Sequence, residues 1–386
     1  MPRDELRQPL RQRSTAERLW AKRPTALTLA CGLAVLGFVS GSTWVARLPH
    51  PFAGEPVVTA AIPPVEELKT AATDAVADSA TEVAPAEAEP SPDAQFVAPQ
   101  QDTPQDEATI IISPRRPLKP APFAIVTETG ADGPLPRVAT SGKTPAEAYA
   151  QITPMSAMVS ERPKIAILLG GMGLNPRLTQ KAIKELPGNI TFGFAPYGNA
   201  LQDQVNRARA EGHEVMLQLP MEPLGYPAND PGPNTLLAEG AKEDNLKALR
   251  WNMSRFAGYT GITNYMGSRF LATPAGLQPV LAELKTRGLL FLEDASVTMT
   301  AAQGMADAAG LRMRHAEVAI DVNADAASIQ AALASLEKQA RGSGMAIGTG
   351  SGLEVTIDTV ADWAKDLESR GFILVPVSAL YQGRRS

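Results

Sequence analysis

Lys164-Ile-Ala-Ile-Leu-Leu-Gly-Gly-Met-Gly-Leu-Asn-Pro176 is the stretch whose reading decides the fold. Ile165 to Leu169 run without a polar break and end in glycines, the pattern of a strand buried on both faces in a parallel sheet. Gly170, Gly171 and Gly173 turn the chain, and a helical pattern follows from about Leu178. In α/β folds the loop after such a strand often carries chemistry. Here it carries almost no functional groups.

Working outward, apolar runs alternate with helical patterns from Pro163 onward, as an α/β barrel requires. The expected strands are Ile165–Leu169, Ile190–Phe194, Glu214–Leu219, Gly261–Asn264, Leu289–Leu292, Glu317–Ile320, Met345–Ile347 and Ile373–Val377. Asn199–Glu211 reads as a helix closed by Gly212, and Thr273-Pro274 has the cap-then-proline form of a helix start. Ala326–Arg341 places Ile329, Leu333 and Leu336 on one face with Gly342 beyond, and Thr356–Arg370 stops before Gly371.

Toward the N-terminus the composition changes. Residues 1–23 are basic, and an uncharged, mostly apolar run spans residues 24–46. About 20 such residues cross a bilayer as a helix. The positive-inside rule places the N-terminus in the cytoplasm and the rest across the membrane. The expectation is a single-pass anchor in a bacterial inner membrane, with the C-terminal domain in the periplasm. A cleaved signal peptide and a lipoprotein site at Cys31 are the rival readings. Residues 47–162 are rich in Pro, Ala and acids, with Lys69 the only base between Glu66 and Glu107. Such a composition buries too little apolar surface to offset chain entropy, so a disordered linker is expected. Ala108-Thr-Ile-Ile-Ile-Ser113 stands out in it as a short strand or docking segment, with a merely local apolar patch as the alternative.

Composition excludes several classes. The net charge of −5 argues against a nucleic-acid protein. A single cysteine precludes an intrachain disulfide and a cysteine-built zinc site. The histidines are His50, His213 and His315, too few for a His-rich metal site. Gly171-Met-Gly-Leu-Asn-Pro176 only faintly suggests a dinucleotide turn, since Pro176 replaces the third glycine. Gly348-Thr-Gly-Ser-Gly352 lacks the glycine two residues before the serine that a nucleophile elbow needs.

Four segments carry a family resemblance: Ala210-Glu-Gly-His-Glu-Val-Met-Leu-Gln-Leu-Pro-Met-Glu-Pro223, Tyr226-Pro-Ala-Asn-Asp-Pro-Gly-Pro-Asn-Thr-Leu236, Asn264-Tyr-Met-Gly-Ser-Arg-Phe270 and Leu374-Val-Pro-Val-Ser-Ala379. With them, residues 163–386 resemble the divergent polysaccharide deacetylase family, a branch of the NodB-type carbohydrate esterases. The resemblance implies a deformed (β/α) barrel with its site at the carboxyl ends of the strands. It also implies a divalent metal held by an aspartate and histidines, with a second aspartate as base. In this chain the two aspartates fall on Gly170 and Gly171, one histidine on Tyr265, another on Thr349 in Gly348-Thr-Gly-Ser351, and one sometimes present on Gln218. None of these residues replaces the lost ligands, so the expectation is no metal, no cofactor and a degenerate site.

The remaining polar residues at strand ends are Gln218, Glu222, Asn264, Tyr265, Arg269, Glu293, Asp294, Asp321 and Thr349. Glu222 and Asp294 are the acid/base candidates, with the alternative that Glu222 pairs with Arg269 and holds two loops. The rigid loop Asn229-Asp-Pro-Gly-Pro-Asn-Thr235 offers Asn229 and Asp230 to sugar hydroxyls, and Tyr197, Tyr226 and Tyr265 could stack on a sugar face. His213 and His315 each precede a strand, away from the expected site, and read as structural. Three functions stay open: binding of an envelope glycan or envelope protein without hydrolysis, a rebuilt metal-free hydrolase using Glu222, Asp294 and Asp321, or a scaffold.

Overall fold

The computed structural model describes residues 116–297 and 300–381. The anticipated anchor at 24–46 lies outside them. No helix among the described residues is long and apolar enough to cross a membrane.

A strap opens the described chain: β1 (Thr127–Thr129), β2 (Pro134–Pro136), α1 (Pro145–Tyr149) and α2 (Met155–Val159). The sheet begins with β3 (Lys164–Met172) and α3 (Pro176–Glu185), then β4 (Thr191–Phe194), α4 (Leu201–Ala210) and β5 (Val215–Met221). It continues through α5 (Lys242–Met253), β6 (Gly261–Met266), α6 (Ser268–Leu271), α7 (Pro274–Thr286) and β7 (Leu290–Glu293). After α8 (Ala302–Ala309) come β8 (Met313–His315), β9 (Val318–Ala319), α9 (Ala326–Ser343), β10 (Met345–Ser351), α10 (Glu354–Lys365) and β11 (Ile373–Leu374).

The sheet is parallel and curled, in the order β8-β7-β6-β5-β4-β3-β10-β9, with β11 added beside β3. Its two ends are joined by a single extended run. The Ala316 amide donates to Glu293 of β7, and the next amide, Glu317, donates to Ile347 of β10. Strand alternation splits the core into two shells. Ile165, Ile167, Leu169, Leu217 and Phe291 face the helices. Ala166, Leu168, Met216, Leu292 and Ile347 face inward. Two-sided burial is thus what Ile165–Leu169 predicts, and each expected strand region contains a strand, shortened to Val318–Ala319 and Ile373–Leu374 in two of them. The carboxyl ends of the strands share one end of the sheet and position the loops described below.

Five expectations need correction, the first being the helix over Thr356–Arg370, which spans Glu354–Lys365 and gives way to turns over 366–370. Of the linker predicted over 47–162, residues 116–162 form the strap instead, and 47–115 lie outside the described residues. Thr144 and Glu147 make a capping box at α1, Tyr149 is buried, and β1 pairs with β2. No strand was expected at Met313–His315, where Arg314 and His315 interrupt the apolar pattern. α9 runs past Gly342 and stops at Gly344, whose φ of 82° suits the left-handed cap. The segment Ile373–Val377 is a strand only to Leu374 and then enters a 3-10 turn at Val377–Tyr381.

The strap closes the amino-terminal end of the sheet through two buried charges. Arg209 is 1% exposed and donates to the carbonyls of Lys119, Tyr149 and Gly258 at 3.0 to 3.1 Å. Burial lowers its pKa to about 10. Glu214 is fully buried and accepts from the Ser378 amide, the Ser378 hydroxyl and the Gln151 amide. Burial pushes its carboxyl above the usual range, and those hydrogen bonds only partly offset it. A raised folded pKa adds stability that is complete below the unfolded pKa and is lost as pH rises through the folded pKa. Urea unfolding should therefore show wild-type stability falling as pH climbs above the ordinary glutamate range. The Glu214→Gln variant should flatten that slope, and an unchanged slope would assign it to other groups.

Candidate functional site

A cavity of about 120 Å³ opens at the carboxyl ends of β3, β4, β5 and β6. Gly171 and Leu174 wall it from β3, Ala195, Pro196 and Tyr197 from β4, Gln218 and Pro220 from β5, Tyr265 from β6 and Pro231 from the loop beyond β5. The walls are mostly apolar and aromatic. Tyr265 is 41% exposed and Leu174 56%, so both stand at the rim.

The Gln218 side chain in the cavity wall packs against Gly170. A Cβ on Gly170 would lie 2.2 Å from Gln218 Nε2 and 2.7 Å from its Cδ. The Gln218 side chain can occupy that space only because residue 170 has none. Its Oε1 accepts from the Gly171 amide at 2.6 Å. Gly171 has φ of 75°, which favours glycine, and open space beside it.

The other polar candidates are committed to holding loops. Glu222 is 4% exposed. One of its carboxylate oxygens accepts from Arg269 Nη1 at 2.6 Å, and the other accepts from the Ala238 amide at 2.6 Å. Arg269 also pairs with Glu239 at 2.8 Å. The Glu222–Arg269 pairing foreseen as the structural alternative is therefore present. Asn264 is fully buried, donates to the Met266 carbonyl and accepts from the Asp294 amide at 2.8 Å. Thr349 Oγ1 accepts from the Ala295 amide at 3.2 Å. Asp321 accepts from the Ser351 amide at 2.7 Å and the Thr356 hydroxyl at 2.9 Å. Asp294 accepts from the Ser296 amide and hydroxyl, while burial pushes its carboxyl above the usual range.

The loop from Asn229 to Thr235 is self-satisfied. Asp230 accepts from the Gly232 amide at 2.9 Å, the Thr235 hydroxyl donates to the Gly232 carbonyl, and Tyr197 Oη donates to Pro233 O at 2.5 Å. Asn229 and Asp230 are exposed, and neither they nor Tyr226 wall the cavity. His213 stacks on Phe192 at 4.0 Å at the far end of the strands, as expected. His315 departs from expectation. It ends β8 at the carboxyl end of the sheet, where Nδ1 lies 3.0 Å from Glu293 Oε2.

The family model for divergent polysaccharide deacetylases matches residues 167–381. The chain belongs to this family. A crystal structure of the uncharacterized protein ATU2773 from Agrobacterium tumefaciens C58 is similar at a TM-score of 0.62 and 41% identity, covering 64% of this chain and 99% of that one. The uncharacterized protein YibQ of Escherichia coli is 26% identical over 167 residues, 43% of this chain and 51% of YibQ. The chain thus spans about half the length of that relative. Peptidoglycan deacetylase PdaC from Bacillus subtilis overlays at a TM-score of 0.35 with 14% identity, over 57% of this chain and 92% of PdaC. That likeness is too faint to argue from.

The residues at the family's metal positions do not fit a divalent ion. Gly170 and Gly171 offer no side-chain donor, Gln218 Oε1 is taken by an amide, and Thr349 Oγ1 caps the loop after β7. Among the described residues no group of three His, Cys, Asp or Glu side chains is placed to hold a metal. Of the sequence candidates, Gln218 and Tyr265 meet at the cavity, joined by Tyr197 from the stacking set. Glu222, Asp294, Asp321, Asn264, Arg269 and Thr349 are dispersed in loop contacts. The sequence reading missed the apolar walls, although Pro196 falls just after β4 and Pro220 lies in the last residues of β5.

Two stability measurements test this geometry. Gly170→Ala should evict the Gln218 amide and cost about 1–2 kcal/mol. In the Gln218→Ala background the same change should cost clearly less, and strict additivity in a double-mutant cycle would refute the steric exchange. Glu222→Ala leaves the buried Ala238 amide without its acceptor, while Arg269 keeps Glu239, so it should lower stability by about 1–3 kcal/mol in urea unfolding.

Proposed function

We propose that the domain recognises an envelope glycan at this cavity without hydrolysing it. It would act within a protein held in the bacterial inner membrane by residues 24–46, with the domain in the periplasm. The observation that carries this reading is the Gln218 amide in the space above Gly170. It removes room for an acidic side chain at the position where the family pattern has one. Family membership ties the domain to carbohydrate chemistry, and the cavity keeps features suited to a sugar. Tyr197 and Tyr265 offer aromatic surface to the apolar face of a pyranose. Gln218 Nε2 has no hydrogen-bond partner among the described residues and is a donor for a ligand oxygen.

The rebuilt-hydrolase alternative needs carboxylates that converge on the cavity. Glu222, Asp294 and Asp321 are each bonded elsewhere and do not wall it. The raised Asp294 carboxyl is the one observation in its favour.

Calorimetric titration of the purified protein with chitin oligosaccharides and peptidoglycan fragments, with acetate assayed in parallel, decides between the two. The expected result is binding with no acetate release. Tyr265→Ala should weaken that binding about tenfold, the worth of one aromatic face. Acetate release that disappears with Asp294→Asn would establish the hydrolase instead, and absence of binding to either glycan would end the glycan reading.

A further inference from the structure

The strap carries an apolar face that no described residue covers. Met155 and Val159 lie one turn apart on α2 and are 74% and 70% exposed, and Ile152 just before the helix is 69% exposed. The opposite side of α2 is its anchor. Ala157 is fully buried there and Met158 packs on the inner core. Hollows adjoin this face. One of about 220 Å³ is lined by Ile152 together with Gln151 and Arg312. A groove of about 400 Å³ includes Glu368 and Phe372, whose carbonyls accept from Arg162 just beyond α2. Single exposed aliphatics are ordinary, but three together beside hollows mark a docking surface.

We propose that this face is covered by the chain's own Ile110-Ile111-Ile112. Composition is the first argument. Between residues 47 and 115 this is the one run of three large aliphatic residues, and its neighbours Ala108, Thr109, Ser113 and Pro114 are uncharged, so docking buries no charge. Reach is the second. The described chain starts at Arg116, and the Leu118 amide donates to the Arg209 carbonyl. The Arg209 guanidinium then holds both the Lys119 and the Tyr149 carbonyls, so the start of the strap and the end of α1 meet on one side chain. From Leu118 back to Ile112 an extended chain spans up to about 20 Å, enough to lie along the short segment from Ile152 to Val159. The acidic stretch from Glu66 to Glu107 has no comparable apolar run. The docked triplet fastens the tether to the amino-terminal end of the sheet, opposite the cavity, and leaves the cavity facing away from the chain's point of departure.

Disulfide trapping in the full-length protein tests this. A variant with Cys31→Ser, Ile111→Cys and Met155→Cys is exposed to a mild oxidant at low protein concentration. An intrachain bond should form about tenfold or more faster than in a control carrying Ile111→Cys with Leu353→Cys, which is near the cavity end. Equal rates, no bond, or bonds only between chains would overturn the proposal, the last pointing to a second copy on this face. A measurement without new cysteines accompanies it. Replacing Ile110, Ile111 and Ile112 by serine should speed peroxide oxidation of Met155 about threefold or more by removing its cover. An unchanged rate would equally overturn the proposal.

Discussion

The structure depends on the burial of β3 from both sides. Its odd residues Ile165, Ile167 and Leu169 meet the helices, its even residues Ala166 and Leu168 meet the inner core, and its backbone bonds β4, β10 and β11. A strand so enclosed can present groups to solvent only where it ends. That confines any site on it to Gly170, Gly171 and the turn beyond, and makes the identity of those residues decisive.

At that point the strand offers backbone and no side chain. Polar groups at the neighbouring strand ends are bonded into loop contacts: Glu222 to Arg269 and Ala238, Asp321 to the start of α10, Thr349 to the loop after β7. Together these contacts tie the strand ends to the loops around the opening. The place of the Gln218 amide and the missing side chain of Gly170 are a single fact of packing.

Much of the fold was legible. Short unbroken apolar runs marked the parallel strands, and Gly212 marked the end of α4, whereas Gly342 and Gly371 did not mark the ends of α9 and α10. The strap was not legible, because its anchors are distant. Tyr149 and Gln151 are fixed by Arg209 and Glu214, and nothing local in 116–162 announces those partners. β8 was hidden because Arg314 and His315 break its apolar pattern, while backbone bonds to β7 hold it regardless. At the site, Gln218 and Tyr265 were found by family position and the Glu222–Arg269 pair by charge. The loop roles of Asn264, Thr349 and Asp321 were out of reach, since a strand-end polar residue reads alike whether it faces a cavity or a neighbouring amide.

The extended run through Ala316 and Glu317 has one more consequence. An open parallel sheet of this length would leave two rows of unpaired amides and carbonyls, each a template for another chain. Here the two outermost strands are consecutive pieces of one backbone, bonded to β7 on one side and β10 on the other. The sheet therefore offers no long free margin, and protection against edge-to-edge aggregation is built into chain connectivity rather than left to charged side chains. Such closure also joins strands far apart in sequence, so that protection arrives only once the carboxyl-terminal strands have been made and paired.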